Sequence, residues 1–352
     1  MNLHDVAAEF TRREVVPHLQ RWEDAGEVPR SLHLAAAKQG LLGVAFPESV
    51  GGGGGTLLDE IDVQEAMLSA GASSGLLAAL FTGGIALPHI VACGDAHLVD
   101  RFVRPVLAGE AIGSLAVTEP GGGSDVSALR TTARRDDDAW VVDGTKTFIT
   151  SGVRADFATT AVRTGGPGAG GISLLVVEKG APGFTVDRAL TKMGWHCSDT
   201  AELGYAGVRV PVANLVGVEG SGFAQIAQQF VVERVALAVH AYGIAARSLE
   251  LTAQWCRERS TFGRPLAARQ VVRHDLVEMH RQVEVARTYT RSVAARHVDG
   301  EAVVAEACLA KQTACEAAAY VCDRAVQLFG GAGYLHGSEV ERHYRDARND
   351  GG

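Results

Sequence analysis

From Phe223 onward the chain is patterned for three helices of unusual length, over residues 223–258, 270–297 and 301–329. These tracts are rich in Ala, Leu, Val, Gln and Arg, residues that cost little in a helix. A long helix with an apolar stripe needs other helices to cover it, so the tracts predict a bundle. What precedes them is different. Between about Gly113 and Val216, short β-type runs alternate with turns. Residues 1–112 are helical again: Val6, Phe10, Val15, Val16 and Leu19 recur near helical spacing, and Pro29-Arg30-Ser31 opens a helix that Gly40 ends. The expectation is an α+β chain in three parts, with boundaries at 1–112, 113–216 and 217–352.

Within the middle part, Trp140 to Val142 and Thr145 to Ile149 flank Asp143-Gly144, which reads as a hairpin with a D-G turn. Phe157 to Arg163 and Ile172 to Glu178 form a second strand pair, and 184–187 and 207–212 complete an antiparallel module. The glycine loop 165–171 contains a literal G-x-G-x-x-G, but a strand follows it instead of a helix. No helix N-terminus then faces a phosphate. Gly51 to Gly55 lacks the Lys-Ser or Lys-Thr of a P-loop and reads as a turn. Gly71 to Gly75 matches G-x-S-x-G without the strand that a nucleophile elbow needs.

Bulk properties narrow the classes. At 352 residues and 47% hydrophobic content the chain can bury a sizeable core. A net charge of −8 argues against a nucleic-acid surface. No 18-residue apolar run predicts a membrane span, and the first residues show no signal peptide. The six cysteines form no C-x-x-C pair and read as reduced thiols of a cytoplasmic protein. Cys308, Cys315 and Cys322 recur every seven residues, on one helix face, as small buried side chains. His196, His336 and His343 are dispersed, and no metal site is expected.

The stretch Val117-Thr118-Glu119-Pro120-Gly121-Gly122-Gly123-Ser124-Asp125 follows an apolar run that reads as a buried strand. Its glycines allow close backbone approach to something flat, although for glycines alone a flexible turn is the favoured reading. The order of residues goes further and resembles the T-E-P-x-x-G-S-D signature of acyl-CoA dehydrogenases. Five more stretches are similar to that family in sequence order: Gly144 to Gly152, Met193 to Thr200, Arg259 to Leu266, Gln327 to Tyr334, and Tyr344 to Arg348. The resemblance implies an N-terminal helical domain, a middle antiparallel β-barrel-like domain and a C-terminal four-helix bundle. It implies FAD as cofactor, an acyl-CoA substrate, an electron-transfer flavoprotein as electron acceptor, and a homotetramer.

By that resemblance Val117, Thr118, Gly123 and Ser124 line the flavin, with Phe148 and Thr150 against its ring system. Taken alone, Phe148 reads more readily as an ordinary packed strand residue. Arg259, with Thr261 and Phe262 nearby, would reach the FAD pyrophosphate of a neighbouring subunit, where a guanidinium fork suits paired phosphate oxygens. Gln270, Gln327, Gly330 and Gly331 would contact the adenosine part across the interface, so the site would need at least a dimer. Ser124 and Ser198 would lie along the acyl-CoA channel, and Arg234 would help bind the CoA portion.

The reaction implied removes an α-proton and a β-hydride, so it needs a base. Many family members place a glutamate after the R-D-A-[RK] stretch. Here Arg348 is followed by Asn349-Asp350-Gly351-Gly352, without that glutamate. A second subgroup, including isovaleryl-CoA and long-chain acyl-CoA dehydrogenases, carries its base on the first long C-terminal helix before an arginine. The matching residue is Glu233, beside Phe230, Ala236 and Leu237 at helical spacing. An apolar face disfavours the ionised carboxylate, as a base working near neutrality requires. Asp350 is a weaker candidate. Gly351-Gly352 reads as the start of a turn that the family continues, so the last domain looks short. Alternatives within the fold are an acyl-carrier-protein dehydrogenase or a flavin monooxygenase-like relative. A truncated, non-catalytic flavin-binding subunit is the alternative of another class.

Overall fold

The computed structural model describes residues 2–350, with side chains through Arg348. The first part is helical throughout: α1 (Leu3–Phe10), α2 (Leu19–Ala25), α3 (Arg30–Lys38), α4 (Leu57–Ser69) and α5 (Ser74–Leu80). Shorter helices follow: α6 (Gly83–Ala86), α7 (Pro88–Cys93), α8 (Ala96–Leu98) and α9 (Arg104–Leu107). The expected start at Arg30 holds, and Gly40 ends that segment at φ +74°. Between Ser74 and Cys93 the helical tract is broken into three pieces, at Phe81 and at Leu87. Thr56 and Asp59 make a capping box that sets where α4 begins.

Seven strands form the middle sheet: β1 (Gly113–Ala116), β2 (Thr132–Asp136), β3 (Ala139–Thr150), β4 (Phe157–Arg163), β5 (Ile172–Glu178), β6 (Phe184–Ala189) and β7 (Thr200–Pro211). The spatial order is β1-β4-β2-β3-β7-β6, with β5 also paired to β4. Two expectations change here. First, the sheet is mixed, because β1 runs parallel to β4 and β2 meets the end of β4 in parallel. Second, Asp143-Gly144 is not a hairpin turn. β3 runs straight through it and pairs with β7 on both sides of a bulge. Gly144 sits at φ +149°, and a Cβ there would lie 2.6 Å from Thr131 Oγ1. Glycine is needed for close approach, not for chain reversal. The real reversal is at Asp137, φ +53°, between β2 and β3. β4 and β5 pair antiparallel over their full lengths as expected.

The last part contains α10 (Gly222–Glu258), α11 (Gln270–Val298), α12 (Val304–Phe329), α13 (Gly331–Tyr334) and α14 (Glu339–Asp350). α10, α11 and α12 pack together with the shorter α14, and α4 of the first part joins α10 and α11 in one core. Cys315 and Cys322 are buried in that core as expected, but Cys308 lies on the exposed side. No single helix among the described residues is long and apolar enough to cross a membrane. The side chain of Asp350 and the expected turn at Gly351-Gly352 lie outside the described residues.

One buried ion pair inside the β part and one largely exposed ion pair between the parts tie the β part to the helical part. Arg154 donates to Asp199 Oδ1 at 2.5 Å and to the Val28 carbonyl at 3.1 Å, with both charged side chains buried. Arg30 forks onto both oxygens of Asp156 at 2.8 and 2.9 Å, and Asp156 also accepts the Ile112 N–H. These contacts set the angle at which β1, β3 and their loops face α4, α5 and α10.

Candidate active site

A cavity of about 230 Å³ lies where the three parts meet. α4 contributes Glu60 and Gln64, and α5 contributes Leu77 and Ala78. The segment after α5 adds Phe81, Thr82, Gly84 and Ile85. α10 adds Val232, Glu233, Ala236, Leu237 and His240, and the β part closes it with Thr150 and Trp195. Glu233, Ala236, Leu237 and His240 are spaced three, four and seven residues apart, so one face of α10 forms a wall.

Glu233 therefore lines an apolar cavity, as the sequence reading expects. Its Oε1 is buried and has no protein hydrogen-bond partner. Burial pushes its pKa up to about 7, against a smaller opposing pull from Arg234. Thr150, at the end of β3, lies in the same cavity. Arg234 does not line it; its guanidinium covers the Phe230 ring at 5.5 Å and donates to the Phe230 carbonyl.

The glycine loop 119–125 leaves β1 as a tight turn, closed by reciprocal backbone hydrogen bonds between Glu119 and Gly122. Val117 is buried and Thr118 half-buried, while Gly121, Gly122, Gly123 and Ser124 are exposed. A Cβ on Gly121 or Gly122 would meet nothing within 4 Å. Lys146, fully buried, anchors the loop by donating to the Val117 carbonyl and to Glu119 Oε1, both at 2.9 Å. Glu119 also accepts the N–H groups of Arg130 and Thr131. Burial alone would raise Glu119, but Lys146 and these donors hold it down at about 2. Phe148 stands nearby on β3, 68% exposed and at φ +60°. Ser198 is placed differently from Ser124: it is fully buried, outside the cavity lining, and its carbonyl accepts Lys192 Nζ.

The remaining expected cofactor residues gather elsewhere. Arg259, Thr261, Phe262 and Gln270 form the turn between α10 and α11, where Arg269 donates to Thr261 and covers the Phe262 ring. Gln327, Gly330 and Gly331 end α12. Trp255 stacks on Phe329 at 4.7 Å, which brings the two groups to one end of the bundle. That end is distant from Glu233: the 26 residues from 233 to 259 span about 39 Å along α10. Phe262 is 96% exposed there.

Sequence patterns gave no site role to Glu60, Gln64 or His240, and Trp195 entered only as part of the stretch Met193 to Thr200, because no motif carries their wall-forming role. Trp195 is held with care. It adopts φ +55°, its N–H is accepted by Asp346 at 2.7 Å, and its indole Nε1 donates to Ser74 Oγ at 2.8 Å. A Cβ on Gly75 would come within 2.7 Å of Trp195 Cα, so α5 can approach only as glycine.

Comparison with known proteins decides the family. The N-terminal, middle and C-terminal domain models of acyl-CoA dehydrogenase match residues 1–110, 114–208 and 220–350. The chain belongs to the acyl-CoA dehydrogenase family. It is 36% identical over 353 residues to the mitochondrial long-chain specific acyl-CoA dehydrogenase of Rattus norvegicus, covering 98% of this chain and 81% of that one. It is 35% identical to an acyl-CoA dehydrogenase of Bacillus subtilis (strain 168), covering 98% and 91%. Among solved structures, a probable acyl-CoA dehydrogenase from Mycobacterium abscessus superposes with a TM-score of 0.98 at 62% identity, covering 99% of this chain and 93% of that one. For an acyl-CoA dehydrogenase, the α10 wall, the glycine loop and the mixed sheet are therefore the parts to read for chemistry. Among the described residues no cluster of His, Cys, Asp and Glu is placed to hold a metal.

Proposed function

We propose that this acyl-CoA dehydrogenase oxidises a saturated acyl-CoA thioester to its trans-2-enoyl thioester, with Glu233 as the base. The observation that carries the reading is the setting of Glu233: a carboxyl with an unpartnered oxygen, in an apolar cavity, with a pKa near 7. Such a group is a competent proton acceptor at neutral pH, because neither form is strongly disfavoured. The acyl chain lies among the apolar side chains of α5 and α10, which exclude water from the reacting carbons. Glu233 takes the α-proton on its carboxylate.

The residues present fit FAD. Open space over Gly121 and Gly122, the exposed Phe148 ring and Thr150 in the same cavity as Glu233 suit a flat ring system laid against the β part. FAD, when bound, supplies the acceptor for the β-hydride. Val117, Thr118, Gly123 and Ser124 hold the ring side, and an electron-transfer flavoprotein takes the electrons onward. Arg259, Thr261, Phe262, Gln270, Gln327, Gly330 and Gly331 lie too far along the bundle to serve the same cofactor within one chain. They serve a neighbour's, which makes the protein at least a dimer, here read as a homotetramer, acting in the cytoplasm. Ser124 and Arg234 are assigned to the CoA side of the substrate.

The test is anaerobic titration of the purified flavoprotein with a chain-length series of acyl-CoAs. Bleaching of the flavin band in the wild type, lost in Glu233→Gln with FAD retained, is expected. Equal bleaching by Glu233→Gln would remove it as the base.

A further inference from the structure

The cavity holds more polar groups than a plain alkyl chain needs. Its apolar surface comes from Leu77, Phe81, Ile85, Val232, Ala236 and Leu237. Set into that surface are Glu60 and Gln64, one turn apart on α4, and His240 on the α10 wall. Gln64 is 2% exposed. Its Nε2 donates to Glu60 Oε1 at 3.0 Å, and its Oε1 is buried with no protein partner. His240 is 6% exposed, and its Nδ1 is likewise without a protein partner. Buried polar atoms are almost always hydrogen-bonded in folded proteins, so orphaned atoms on two residues that line one cavity from facing helices invite a ligand that pairs with them.

The donor and acceptor inventory narrows that ligand. Gln64 Oε1 accepts only. Burial raises the Glu60 carboxyl, against a smaller opposing pull from the Gln64 hydrogen bond; its acid form would carry an O–H to donate. Burial also lowers His240 to about 4, so its ring is neutral, with one nitrogen donating and the other accepting. A hydroxyl both donates and accepts and satisfies this set. A ketone leaves Gln64 Oε1 unpaired. A carboxylate finds no Lys or Arg among the lining residues.

We propose that the acyl-binding cavity is built for a chain carrying a hydroxyl beyond the reacting carbons, donating to Gln64 Oε1 and accepting from Glu60 or His240. This rests on the reading of the cavity as the acyl site. Glu233 is left for the α-proton, and Glu60, Gln64 and His240 recognise the substituent.

The experiment compares matched pairs of straight-chain acyl-CoAs, with and without a hydroxyl, moved along the chain. Each pair is measured as kcat/KM with the flavin-loaded enzyme. Each is also measured as calorimetric affinity of the unreactive alkyl thioether of CoA. At one hydroxyl position a preference of at least tenfold over the plain chain is expected in both readouts. Gln64→Leu, which keeps the side-chain volume, should reverse the preference, and Glu60→Gln should reduce it. Plain chains favoured at every position, or a preference unchanged in both variants, overturns the proposal. If no thioester turns over but the hydroxylated thioether still binds tighter, the dehydrogenase reading fails and this one stands. Turnover of plain chains with no hydroxyl preference in binding overturns the hydroxyl site and leaves the dehydrogenase standing.

Discussion

Lys146 Nζ lies 2.9 Å from Glu119 Oε1 and 2.9 Å from the Val117 carbonyl, so one buried ammonium ties β3 to the end of β1 and to the first residue of the turn that opens the glycine loop. Neither side chain is well solvated: Lys146 is fully buried and Glu119 nearly so. A buried pair of this kind is poor evidence for stability as such, but losing one partner strands the other charge. Lys146→Met is therefore expected to cost about 3–5 kcal/mol, the range for breaking a buried pair. The readouts are a lower melting temperature and weaker flavin retention on gel filtration. Glu119 is held near 2 against an ordinary 4.5. Its share of stability is complete above pH 4.5 and disappears as pH falls toward 2. Glu119→Gln should flatten that acid limb.

Glu233 has the opposite sign. Its folded pKa is raised to about 7 from 4.5. Activity that needs the carboxylate should rise through about pH 7 and level above it in a kcat/KM profile of the free enzyme. Glu233→Gln should lower kcat by about 10²- to 10⁴-fold, the usual range for a general base. The ionised form is the costly one in the folded state, so the wild type loses stability between pH 4.5 and 7. Glu233→Gln should melt higher than wild type at pH 8, with the gain shrinking toward pH 4.5.

Asp346 acts on the cavity from behind. It accepts the Trp195 N–H at 2.7 Å and contacts Ser74 Oγ at 3.4 Å, while Ser74 receives the indole N–H. The positive φ of Trp195 is unfavourable for a bulky residue and persists because these bonds hold it. Asp346→Ala should release the indole, raise KM for the acyl thioester more than it lowers kcat, and shift tryptophan emission. Burial, then the nearby Glu23, raises Asp346 to about 7. The stability it contributes is therefore full below pH 3.8 and is lost as pH rises to about 7.

Arg259 and Phe262 offer a test of assembly apart from chemistry. They sit about 39 Å along α10 from Glu233, and the Phe262 ring is 96% exposed. Phe262→Asp is expected to shift sedimentation toward smaller species and to lower FAD content. Arg259→Ala should lower FAD content while leaving the assembly intact. A monomeric wild type with full flavin would refute the shared cofactor site.

Arg154 and Asp199 test the docking of the helical and β parts. Asp199 accepts Arg154 Nε at 2.5 Å and the Val153 N–H at 2.8 Å, both in a buried setting. Asp199→Asn should lower the melting temperature and broaden the transition, because Arg154 would then be a buried charge without its counter-charge.

Local patterns determined a great deal of this protein. The periodicity of 223–329 located three long helices, and the family resemblance rested on six short stretches that keep their order along the chain. Glu233 was picked out by its match to the family's base position before an arginine, and its apolar neighbours at three and four residues added a one-dimensional signal that a helix turns into a face. Where the physics is not local, the sequence misled or was silent. Asp143-Gly144 has the chemistry of a turn, but β7 and Thr131 on either side of β3 make it a bulge. The strand pattern leaves out Thr132 to Asp136, which has little apolar content, and this segment is a strand because β3 pairs with it. The Glu60–Gln64 pair, Trp195 and His240 come from three separate stretches of the chain, and nothing in their neighbours says that they share one cavity. Only the packing of α4, α5 and α10 against the mixed sheet decided that, because a cavity is defined by what several elements leave between them.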